Sequence, residues 1–147
     1  MDIQIIDLQN HSSWSQILQK LRHDLYHLPE YVAIEAKRTE TTPEAIAIID
    51  GEKIFFAPYL LRSCDDIVPQ ELTNEKIFDV VSPYGYPGIL LSESAANTPG
   101  FPDLALNEFK RVLLEKKSAS VSRDRKRRSI EQSRGFRGAF GLQRKRR

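Results

Sequence analysis

The chain has 147 residues, 40% hydrophobic and 29% charged, which suits one domain of ordinary size or part of a larger one. Its formal charge of +2 hides a division: residues 1–117 hold 11 Lys/Arg against 18 Asp/Glu, a charge of −7, whereas residues 118–147 hold 11 against 2, a charge of +9. The single Cys64 excludes an intrachain disulfide framework and a multi-cysteine zinc site, and no apolar run reaches the length of a membrane span. The start Met1-Asp2-Ile3-Gln4 lacks a signal peptide's basic and apolar regions, so a reduced, cytoplasmic setting is the expectation.

Asp2 to Leu8 places Ile3, Ile5, Ile6 and Leu8 in a short strand. Asn10-His11-Ser12-Ser13 supplies helix-start chemistry, and Trp14, Ile17, Leu18 and Leu21 then recur at helical spacing to about residue 23. Asp24-Leu25-Tyr26-His27-Leu28-Pro29-Glu30-Tyr31 is a dense aromatic and polar patch. Its proline is suited to open a helix that ends near Thr39. His27 has Asp24 and Glu30 close by, but no second histidine stands at ligand spacing, and His11 and His23 show no obvious partners. A hydrogen-bonded structural histidine is therefore preferred over a metal ligand or an acid/base pair.

Ala45 to Ile49 and Glu52 to Arg62 read as a strand pair joined by an Asp50-Gly51 hairpin turn. Pro58 inside the second run removes one ladder donor and points to an edge position, a bulge or a strand break. A polar loop, Val68 to Lys76, precedes another strand at Ile77 to Val81. The next stretch, Ser82-Pro83-Tyr84-Gly85-Tyr86-Pro87-Gly88, can be neither helix interior nor paired central strand. Its prolines fix φ, its glycines allow positive φ, and its tyrosines stand between them. It reads either as a ligand-contact loop or as a tight connection whose tyrosines pack. Ile89-Leu90-Leu91 suggests a further short strand, and Ala95 to Pro102 a flexible connection. From Asp103, Leu104, Leu106, Phe109, Val112 and Leu113 recur as an amphipathic helix ending in Glu115-Lys116-Lys117.

Beyond Lys117 the periodicity stops. Nine of the 11 basic residues in this Arg-rich segment are arginine, and its composition cannot bury a core, so disorder is expected. One reading is nucleic-acid binding through phosphate contacts, with Phe136 and Phe140 stacking on bases. The other is out-of-frame translation after a well-formed helix, which the acidic body favours because it offers no cooperating basic face.

The ordered set formed by residues 24–31, the strand pair with Phe55-Phe56-Ala57-Pro58-Tyr59-Leu60-Leu61-Arg62, and Asp79-Val80-Val81 running into Ser82 to Gly88 carries a resemblance. It resembles the N-terminal part of GNAT-like acyltransferases of the bacterial Fem-related type, whose relatives build peptidoglycan cross-bridges, over residues 12 to 117. The resemblance implies a mixed α/β, partial GNAT-like fold with a mixed sheet and flanking helices over 1–117, followed by a tail over 118–147. It implies passage of an acyl or aminoacyl group from a thioester or aminoacyl-tRNA to a small-molecule or cell-wall precursor amine. It places Tyr84, Gly85, Tyr86 and Gly88, with Tyr26 and His27, on the substrate side and assigns none of them proton transfer. The family's Gln/Arg-x-x-Gly-x-Gly/Ala coenzyme A turn has only Gln132-Ser133-Arg134-Gly135-Phe136-Arg137 as a counterpart. That run ends in Arg and follows no strand, so no cofactor site is assigned to this chain. The resemblance therefore implies a fragment, inactive alone.

Overall fold

A computed structural model of the chain describes residues 1–68, 71, 77–84 and 88–119. The elements run β1 (Asp2–Asp7), α1 (His11–Leu18), α2 (Pro29–Thr39), β2 (Thr42–Asp50), β3 (Lys53–Ser63), β4 (Phe78–Val81), β5 (Leu90–Leu91), α3 (Glu93–Ala96) and α4 (Phe101–Ala119). Short 3-10 turns at Leu8–Asn10 and Leu25–His27 lead into α1 and α2. The fold is mixed α/β, and the sheet order is β1-β2-β3-β4 with β5 also against β3. Every pairing is antiparallel, which corrects the mixed sheet expected from the resemblance. The expected tail lies outside the described residues from position 120 on.

The sheet is covered on both faces, so β2 and β3 read as nearly unbroken apolar runs. Ala45 and Ala47 of β2, with Ile54, Phe56 and Leu60 of β3, pack against Trp14, Ile17, Leu18, Val32 and Ala36 of the first two helices. Ile46 and Ile48, with Phe55, Ala57 and Tyr59, face Phe101, Ala105, Phe109 and Leu113 of α4. Two alanines on the first face leave room for the Trp14 indole, which lies edge-on to Phe56 at 5.8 Å and donates Nε1–H to the His27 carbonyl at 3.0 Å. On the opposite face, Tyr59 donates to the buried Glu44 carboxylate at 2.7 Å, and Lys116 of α4 reaches the same oxygen. Burial, and next the Glu44 charge, push the Tyr59 phenol well above its ordinary value, so it stays protonated as a donor.

The hairpin forms one residue later than the sequence suggested. Asp50 pairs with Lys53, so Gly51 and Glu52 are the central turn residues. Gly51 carries φ +61°, and Glu52 is not among the residues with positive φ. Only the first central position needed glycine. The connection expected to be flexible holds the short helix α3, because the Ser92 hydroxyl accepts the Ala95 N–H and caps it.

Pro58 does not break its own strand. Cys64 donates its N–H to Ile77 and Ser92 donates to the Ile54 carbonyl, so the even-numbered residues of β3 direct their backbone groups toward β4 and β5. Pro58 belongs to that set. In the β4 register it would face Pro83, so neither residue could donate to the other. β4 ends at Val81 and pairing resumes with Leu90 opposite Phe56, so residues 82–89 intervene where β3 supplies only Ala57 to Tyr59. β4 and β5 thus form one edge strand with an insertion in its middle, the outsized equivalent of a bulge.

Trp14 is the largest fully buried side chain, with 0% exposure. Trp14→Ala should lower unfolding stability by about 3–5 kcal/mol in chemical denaturation. Trp14→Phe, which loses the indole donor and part of the volume, should lower it by about 1–3 kcal/mol.

Candidate functional site

The insertion in the edge strand returns to α2. Tyr31, in the first turn of α2, donates its hydroxyl to the Tyr84 carbonyl at 2.8 Å across 53 residues of sequence. One turn on, the Glu35 carboxylate feels the Tyr84 backbone as a small contribution that lowers its pKa. The carbonyl of Tyr84 is therefore held by α2, while its side chain is 75% exposed. Tyr26, in the turn before α2, packs edge-on against Tyr31 with centroids 5.1 Å apart. The α2 spacing i, i+4, i+7 puts Tyr31, Glu35 and Arg38 along one side of the helix.

Glu35 is buried at 7% exposure and takes a two-pronged contact from Arg38, Nε at 3.2 Å and Nη2 at 2.9 Å. The Arg38 hydrogen bond is the main cause that holds the Glu35 carboxyl below its usual range, and the Tyr84 backbone adds to it. Arg38 is raised in turn by Glu35. The Tyr31 phenol is raised, first by desolvation and then by the Glu35 charge. Each of the three keeps its ordinary charge state through neutral pH. None of the three is poised to exchange protons near neutral pH.

Of the residues assigned from sequence to the substrate side, Tyr84 and Tyr26 come together through Tyr31. Gly88 is exposed and shows no positive φ, and among the described residues nothing lies within 4 Å of where a Cβ would stand. Gly85 and Tyr86 lie outside the described residues. His27 is buried at 4% exposure; its Nδ1 lies 3.0 Å from Asp24 Oδ1 and 3.3 Å from the Asp24 N, closing a capping box. Its Nε2 is buried and has no hydrogen-bond partner among the described residues. His27 thus fixes the turn that presents Tyr26 and does not itself reach the exposed surface.

The other histidines do have partners. His11 Nε2 meets Glu30 Oε1 at 2.8 Å, joining the starts of α1 and α2, and His23 Nδ1 lies 2.9 Å from the Leu21 carbonyl. Sequence reasoning left His11 unassigned because 19 residues separate it from Glu30, and His23 because its partner is a backbone carbonyl that no side-chain pattern announces. It also missed Tyr31, Glu35 and Arg38 as site residues. Their helical spacing was visible, but nothing local said that Tyr84 would land on them. Among the described residues no group of three or more His, Cys, Asp or Glu side chains gathers to hold a metal, and no helix is long and apolar enough to cross a membrane.

The chain matches no protein-family model, no curated protein and no solved structure.

Tyr31→Phe should remove about 1 kcal/mol of local stability, seen as an approximately fivefold faster hydrogen exchange at the Ser82 and Tyr84 amides with the global melt little changed. The pH dependence follows from Glu35. Its folded pKa is depressed, so its contribution is complete above the ordinary glutamate range and is lost as pH falls through the lowered value. Protection of the Tyr84 amide should therefore fall on acidification. Arg38→Gln should move that loss to higher pH in exchange experiments run as a pH series.

Proposed function

We propose that this chain supplies the acceptor-side half of a GNAT-like, Fem-related N-acyltransferase. The half would hold an amine for attack on an acyl thioester or aminoacyl-tRNA. One observation carries the reading: two of the three stretches on which the resemblance rests, residues 24–31 and the loop that begins at Ser82, meet through the Tyr31 hydroxyl and the Tyr84 carbonyl. They do so beside the interrupted edge strand of an antiparallel sheet, where a chain excursion can carry side chains out to a ligand without disturbing the core.

The chemistry asked of such a half is modest. Acyl transfer to an amine needs the nucleophile close and aligned, and positioning alone accounts for a large part of the barrier reduction. Tyr26, Tyr31 and Tyr84 offer aromatic surface and hydroxyls for that task, on a backbone clamped from α2. Donor binding, polarisation of the donor carbonyl and removal of the proton belong to a unit outside this half. Acyl transfer by residues 1–119 alone is not expected.

The coding DNA beyond the Lys117 codon tests the assignment. In one of its other two frames it should encode a strand followed by Gln/Arg-x-x-Gly-x-Gly/Ala, and stops close behind that codon in both frames overturn the reading. The rival role, nucleic-acid binding by the Arg-rich segment, requires an affinity that falls steeply with salt and disappears on truncation after Lys117.

A further inference from the structure

The sheet has a second edge, built unlike the interrupted one. β1 ends the strand order, with β2 along one side and, among the described residues, no strand along the other. Its backbone directions follow from the hairpin. Asp50 and Lys53 close a two-residue turn, so even-numbered residues of β2 bond to β3 and odd-numbered ones turn to β1. The β1 register then gives Asp2, Gln4 and Ile6 to the β2 ladder. Ile3, Ile5 and Asp7 are left with N–H and C=O directed away from the sheet.

No residue of β1 guards this edge in the usual ways, which are lysine, proline, a bulge or an inward charge. The β4–β5 edge is interrupted at Pro58 and Pro83, whereas Asp2–Asp7 is a regular ladder without proline, glycine or lysine. Its charges, Asp2 and Asp7, stand at the two ends. Between them Ile5 is 39% exposed, on the same side of the strand as Ile3, which packs on the core beneath α4.

The strand is complementary to itself. A two-fold antiparallel pair sets outward-directed residues opposite each other, odd against odd, and so excludes the register that would repel Asp2 from Asp7. Pairing Ile5 with Ile5 sets Asp7 against Ile3, and pairing Ile3 with Ile3 sets Ile5 against Met1. Pairing Ile3 of one copy with Ile5 of the other matches isoleucine with isoleucine twice and puts Gln4 against Gln4 on the axis. The Gln4 amide donates to Asp2 at 2.6 Å and has besides a second N–H and an acceptor oxygen, the two halves of a symmetric amide pair. Residues 118–147 match this edge poorly, since Val121 and Ile130 are their only β-branched residues.

We propose that the chain self-associates through β1, with Ile3 opposite Ile5 of a second copy, so that two sheets become one continuous sheet. Six residues a side fall well short of the roughly 20–30 of a standard interface, so the dimer is weak and concentration-dependent.

Sedimentation of the full chain up to about 1 mM should show a monomer–dimer equilibrium. Hydrogen exchange at the Ile3 and Ile5 amides should slow several-fold as the dimer forms, with Gln4 and Ile6 unchanged. Ile5→Pro removes an outward donor and no β2 bond, so it should abolish the dimer with little change in the melt. Ile5→Lys should do the same without touching the backbone, whereas Ile34→Lys, at a 64% exposed isoleucine on α2, should leave the dimer intact. Gln4→Cys should cross-link two copies under oxidised glutathione, and Asp2→Cys, set opposite Ile6, should not. A monomer throughout, a dimer unmoved by both Ile5 substitutions, or cross-linking through Asp2→Cys in place of Gln4→Cys overturns the proposal. Association lost at high salt assigns the contact to the charged residues 118–147 and overturns it as well.

Discussion

A missing hydrogen-bond donor organises this molecule. β3 is central, with β2 along one side and β4 and β5 in line along the other. Pro58 directs its donorless nitrogen toward the second side, and the β4 register would bring Pro83 opposite it. A ladder cannot close across two prolines, so the edge strand stops and starts again. The interruption is pinned on both flanks. Before it, Arg62 of β3 grips Asp79 of β4 with two nitrogens. After it, the Ser92 hydroxyl accepts the Ile54 N–H at 2.9 Å and donates to the Glu52 carbonyl at 2.8 Å, fixing where pairing resumes. Between these anchors, among the described residues, Tyr84 comes to rest on α2.

The interruption is tolerated because the core does not depend on the edge. β2 and β3 are buried on both faces, and the side chains that fill the two layers come from α1 and α2 on one side and α4 on the other. α4 is fastened at its far end by Lys116 on Glu44, a carboxylate also bound by Tyr59. An unpaired carboxylate buried there would cost several kcal/mol, on the order of 3–5, so the two donors are a condition of placing Glu44 under the helix. Both helix layers thus lock onto the central pair of strands and leave the β4–β5 edge free to carry the excursion.

Much of this was legible in local sequence. The stripe Trp14, Ile17, Leu18 names its helix because periodicity records which face is buried, and the short apolar run Ala45 to Ile49, bounded by Asp50-Gly51, names a strand buried on both faces. Asp50-Gly51 announced a hairpin, though the turn settled on Gly51-Glu52, since pairing of Asp50 with Lys53 decided the register. Pro58 was recognisable as a disruption, but its effect fell on the partner strand, and no local rule says which of two paired strands will yield. α3 was missed although Ser92 stands at a cap position, because the small, proline-flanked residues after it looked like linker. The clamp on Tyr84 was illegible for a deeper reason. It depends on a contact across 53 residues, made only once the sheet has set the length of the excursion.

The electrostatics of the clamp decide what kind of site it is. A group that moves protons at neutral pH needs a pKa displaced toward neutrality. The displacements here run the other way: Glu35 is held down by Arg38, Arg38 is held up by Glu35, and Tyr31 is raised by desolvation. Each group is pushed further into the charge state it already has, which strengthens the contacts that fix Tyr84 and removes any of the three as a base. His27 is withdrawn beneath the surface with Nδ1 against Asp24 and Nε2 enclosed. A site so arranged gains fixed geometry at the expense of reactivity. Under the proposed reading, that is the property an acceptor-holding half requires, and the reactive groups of the acyl transfer would lie outside the Tyr31–Glu35–Arg38–Tyr84 cluster.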